Sequence, residues 1–157
     1  MPDYTFGDED NLEFKLLADG DYTFEVLSVE FGIHSGGKHA GTETMNIRFG
    51  FYSPTGEIVA KWKENFLLNK EFGWKVDTFL KSADFRIEGR SPVKGDNIGA
   101  HLTEENLIGL RGWCFIHVEE YTPRSGGEKK KTNRVKTWWT NKEKLPRKDT
   151  ADIPFAD

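Results

Sequence analysis

Apolar residues recur at every second position in five separate stretches of this chain. Only once, between the third and the fourth, does the step lengthen to three and four. Alternation sends successive side chains to opposite faces of a strand, whereas the longer step lines one side of a helix. Three strands, one helix and two further strands are therefore expected. Strand one covers 20–33. Tyr22, Phe24 and Val26 alternate with polar neighbours, then Leu27, Val29 and Phe31 continue one residue out of phase. A strand that changes its buried face midway carries a bulge or a sharp bend.

Strand two, 44–52, sets Met45, Ile47, Phe49 and Phe51 on one face, with Arg48 and Tyr52 on the other. A Ser-Pro-Thr-Gly turn leads into strand three, 57–67. There Ile58, Ala60 and Trp62 share a face opposite Val59, Lys61 and Lys63. Phe72, Val76, Phe79, Leu80 and Ala83 define one amphipathic helix over 70–83. Strand four, 111–121, alternates Cys114, Ile116 and Val118 with Trp113, Phe115 and His117. Strand five, 133–139, alternates Val135, Thr137 and Trp139 with Arg134, Lys136 and Trp138.

This order predicts a mainly β fold, a five-stranded OB-type barrel with one helix between strands three and four. The expected organisation is an acidic N-terminal arm over 1–19, the barrel over 20–139, and a disordered tail with an acidic tip over 140–157. On such a barrel a ligand lies across strands two and three, flanked by the loops 34–42 and 122–132.

Charge separates along the chain. The formal net charge is −4, but residues 1–13 hold five acids without a base, and residues 149–157 hold three. Setting both ends aside leaves the body at +4, and residues 122–148 alone carry ten Lys and Arg against two Glu. A basic body between acidic ends points to a polyanionic partner. Binding an unpaired strand needs cations along the phosphates and flat rings against the bases. The candidates are Arg134, Lys136 and Trp138 on strand five, Arg48 and Tyr52 on strand two, Lys61 and Lys63 on strand three, and Lys38, Lys129, Lys130 and Lys131 in the flanking loops. Trp113 is open to either ligand or core, whereas Trp62 and Trp139 share parity with core residues.

Catalysis finds little support. Gly32 to Lys38 has the spacing of a phosphate-binding loop, but His39 stands where Ser or Thr would hold magnesium, and strand period resumes where a helix should begin. The four histidines lack zinc-like spacing, and Cys114, the single cysteine, rules out an internal disulfide. No enzyme activity, cofactor or metal is expected. With no signal peptide and no apolar run of membrane-spanning length, a cytoplasmic location is expected, with no membrane partner.

The last residues, Asp152-Ile153-Pro154-Phe155, resemble the acidic tip of bacterial single-stranded-DNA-binding proteins. The resemblance implies docking on replication or recombination proteins, with Phe155 entering an apolar pocket and Asp152 meeting a basic rim. Phe155 is not the final residue here, so its own carboxylate does not join that contact. The body is similar to small phage-encoded proteins of DNA replication and recombination modules. That similarity is carried by residues 18–22, Ser35-Gly36-Gly37-Lys38, the helix around 74–80, residues 107–112, and Glu119-Glu120-Tyr121. Together these imply sequence-tolerant binding of single-stranded DNA with partner recruitment by the tail. The alternative is an interaction or inhibitor module that binds a host or phage protein instead of nucleic acid.

Overall fold

In the computed structural model, residues 16–147 are described. Five strands, β1 (Gly20–Ile33), β2 (Glu43–Tyr52), β3 (Ile58–Leu67), β4 (Arg111–Tyr121) and β5 (Lys130–Trp139), form one antiparallel sheet in the order β3-β2-β1-β4-β5. Helix α1 (Gly73–Ser82) lies between β3 and β4 in sequence, and a short helix α2 (Glu104–Leu107) precedes β4. The Thr103 side chain caps α2 by accepting from the Asn106 backbone N–H at 3.2 Å.

The barrel expected from the strand order is not formed. β3 and β5 are the two edges of an open sheet and do not pair with each other. Each edge strand makes a local contact with another part of the chain. On β3 the carbonyl of Asn65 accepts from Lys75 Nζ of α1 at 3.1 Å. On β5 the side chain of Asn133 is bonded to the backbone of Leu17. Lys63 on one edge and Lys131 and Arg134 on the other also oppose closure by like charge.

β1 carries the sheet through its bulge. The register with β2 slips between Val26 and Ser28, leaving Leu27 as the extra residue. Before the slip β1 also pairs with β4, from Gly20 to Glu25. Leu27 is thereby turned onto the face away from the core, and a Cβ on Gly50 would lie 3.3 Å from its Cδ1.

One face of the sheet packs on α1 and the connection after it. Val76, Phe79 and Leu80, at helical spacing, are buried there. At the centre sits Trp138, 5 % exposed, with Phe24, Phe49 and Phe79 at centroid distances of 5.1, 5.2 and 5.2 Å and Phe66 at 6.0 Å. The expectation that Trp138 shares a solvent face with Arg134 and Lys136 is therefore corrected. β4 residues Phe115 and Ile116 face Thr137 and Val135, so Lys136 is a bulge and parity flips beyond it. Trp139, expected in the core, goes to the opposite face, where it pairs with Trp113 and donates from Nε1 to Asp21 Oδ1 at 2.8 Å.

Candidate nucleic-acid interface

The unclosed seam between β3 and β5 is a cleft of about 530 Å³. Trp62, Lys63, Glu64 and Asn65 form one wall, and Lys131 to Arg134 form the other. Tyr121 at the end of β4, Lys75 of α1 and Leu16 complete it. Four cations thus face a single carboxylate within the cleft.

That carboxylate is already engaged. Glu64 accepts from Trp62 Nε1 at 2.8 Å and lies 3.9 Å from Lys75 Nζ. The two contacts fix the indole, whose ring stacks at 4.1 Å on Phe51 beneath it. Lys75 also rests 4.9 Å from the centre of the Phe66 ring. Lys63 is bonded to Glu30 at 3.1 Å and Arg134 to Glu119 at 2.9 Å, both with well exposed side chains. Such exposed pairs are worth about 0–1 kcal/mol each, so an incoming anion competes with them readily. Tyr121, 45 % exposed, presents the second ring at the cleft.

Of the residues singled out from sequence, Lys63, Lys131 and Arg134 meet in this cleft. Arg48 and Lys61 lie on the sheet face away from the core that leads into it. Arg48 is the register partner of Lys63, and Lys61 stands two residues before Lys63 on β3. Tyr52 shares that face, with its hydroxyl donating to Glu25 Oε1 at 2.8 Å. Lys130 opens β5 opposite Tyr121, and Lys129 precedes it in the exposed loop. Lys136 is exposed at the bulge, and Lys38 lies in a 3-10 turn of the loop between β1 and β2. Trp113 is half-buried, with Lys142 Nζ 5.1 Å over its ring, so that ring face is covered from within the chain. Asp152, Ile153, Pro154 and Phe155 lie outside the described residues.

Sequence reasoning missed Lys75, Trp62 and Tyr121 as parts of one site. Trp62 shares parity with core residues, and its ring does face that way, against Phe51. It reaches the cleft because β3 is an edge, and edge status is not written in the alternation of a strand.

Reactive chemistry is sparse. Cys114 is buried, and burial pushes its thiol well above the usual range, so it offers no thiolate nucleophile. Among the described residues no group of His, Cys, Asp and Glu is arranged to hold a metal ion. No helix among them is long and apolar enough to cross a membrane. Compared with protein-family models and with curated proteins, the chain matches none.

Proposed function

We propose that this protein binds single-stranded DNA with little sequence preference, along a path from the outer face of β2 and β3 across the cleft to β5. The observation that supports this reading is the meeting of Lys63, Lys75, Lys131 and Arg134, contributed by both sheet edges and a helix, with Trp62 and Tyr121. Cations on two walls can neutralise successive phosphates, while the rings stack on bases of any identity. Arg48 and Lys61 extend the positive track beyond the cleft. The chain acts as a binder in DNA replication or recombination. Its tail residues Asp152–Phe155 recruit a partner protein, with Phe155 as the anchor and Asp152 as steering charge.

Fluorescence anisotropy of a labelled oligo-dT, titrated with the protein at several salt concentrations, tests the binding. Each phosphate neutralised on a single strand contributes a slope of about −0.7 in log affinity against log salt, so four cations give about −3. No binding at low salt would overturn the reading and favour a protein ligand for the cleft. For the tail, deletion of residues 149–157 should abolish capture of replication or recombination proteins. Undiminished capture would refute that role.

A further inference from the structure

Alternation along β3 sets Trp62, Glu64 and Phe66 on one face of this edge strand, with Lys63 and Asn65 on the other. Glu64 is the one carboxylate among the residues that line the cleft, and its side chain is only 10 % exposed. So little exposure leaves its charge weakly screened by water. Both of its oxygens are engaged. Oε2 accepts from Trp62 Nε1 at 2.8 Å, and Oε1 lies 3.9 Å from Lys75 Nζ. The indole is thus fixed at its N–H edge by Glu64 and on one face by buried Phe51, and it remains half-buried where it lines the cleft. Lys75 is drawn inward, donating to the Asn65 carbonyl at 3.1 Å while it rests against the Phe66 ring. An acid in this position opposes the same phosphates that the surrounding cations attract. A cleft built to hold negative charge alone would do better without it.

We propose that Glu64 makes the cleft selective for polyanions that carry flat, stackable rings between their phosphates. The proposal rests on the DNA-binding reading above and names the residue that separates a single strand from a bare polyanion. Glu64 acts in two ways. Its acceptor oxygen holds the indole in place before a ligand arrives, which lowers the entropy cost of stacking a base on it. Its charge offsets that of Lys75, which reduces the attraction for every polyanion alike. Binding then depends on the stacked base. An abasic backbone or an inorganic polyphosphate has none to offer, and a duplex keeps its bases within its own stack. Glu64 is a positioning residue: it acts through Trp62 and touches no base itself.

Paired titrations of the full chain with oligo-dT and with an abasic oligonucleotide of the same length and charge test this. The parent should prefer oligo-dT by about tenfold, the scale of one stacked base. Glu64→Ala should bind the abasic strand more tightly and oligo-dT less tightly, bringing the two affinities to within about twofold of each other. Glu64→Gln keeps an acceptor for the indole N–H, so both ligands should tighten while their ratio holds. A parental ratio in Glu64→Ala, or a parallel loss of both ligands, would overturn the proposal. So would a Glu64→Gln chain that loses the ratio as Glu64→Ala does. The Nε1–H resonance of Trp62, assigned by its absence from Trp62→Phe, reads the hold with no DNA present. Its exchange with water should speed up in Glu64→Ala and stay slow in Glu64→Gln. Unchanged exchange in Glu64→Ala, beside intact binding of oligo-dT, would overturn the role of Glu64 and leave the DNA-binding reading standing. Failure of the parent to bind either strand at low salt would overturn both.

Discussion

The side chain of Asn133 holds both polar groups of Leu17. Its Oδ1 accepts from the Leu17 N–H at 2.7 Å, and its Nδ2 donates to the Leu17 carbonyl at 3.0 Å. A side chain thus does for Leu17 what a neighbouring strand would do, and it also reaches the His117 carbonyl of β4 at 3.4 Å. Asn133→Ala leaves a buried leucine with both groups unmatched, at a cost of about 1–2 kcal/mol. A lower midpoint of urea unfolding at unchanged slope is the expected readout. An unchanged midpoint would mean that Leu17 is held by packing alone.

Trp138 is structural. Replacing it by alanine removes the ring on which four phenylalanines converge and should cost about 3–5 kcal/mol of stability. Trp138→Phe should fold and bind oligo-dT within about twofold of the parent, because the ring contacts no ligand. A large loss of affinity in a folded Trp138→Phe chain would show that the ring reaches the ligand after all.

Gly112 is required by crowding. A Cβ there would lie 2.5 Å from the Ser82 carbonyl oxygen and 2.7 Å from Phe24 Cζ. The first of these is backbone at the end of α1, which cannot turn aside. Gly112→Ala should therefore destabilise the fold by about 1–3 kcal/mol, seen as a fall in Tm. An unchanged Tm would show that the end of α1 moves freely against β4.

Asp21 makes stability depend on acid. A hydrogen bond from Lys142, with a second from Trp139, holds its carboxyl below the ordinary 3.8. A carboxyl with a lowered folded value contributes stability that is fully present above 3.8 and is lost as pH falls through the folded value. The urea midpoint of the parent should exceed that of Asp21→Asn at pH 7, and the gap should shrink as pH falls below 3.8. A gap that stays constant with pH would show that the charge on Asp21 adds nothing.

The strands and the helix were legible because each carries its own period over several residues. That period alone sets Phe24, Val26, Phe49 and Phe79 on apolar faces, and all four are buried in the core. What failed to show was relational. The flip at Lys136 arises because β5 has one residue more than β4 needs, and a single strand does not reveal its partner's count. A trace remained in the three-residue spacing of Val135 and Trp138, which strict alternation does not produce. Lys130 and Lys131 read as loop because a run of lysines has no apolar alternation, yet both extend β5 opposite Tyr121 and Glu120. Strand order does not decide closure, because an open sheet and a barrel can share it. The cleft that replaces it joins Lys63 to Arg134 across 71 positions of sequence, a distance over which no local pattern carries information.

The most direct measurement is the affinity for oligo-dT of the Lys131→Glu, Arg134→Glu chain beside Lys94→Glu as a control on a distant exposed turn. Reversing two of the four cleft cations should weaken binding by at least about tenfold and flatten the salt dependence, while the control stays within about twofold. Equal affinity of the doubly reversed chain and the parent, with folding intact by circular dichroism, would contradict the cleft as the binding site.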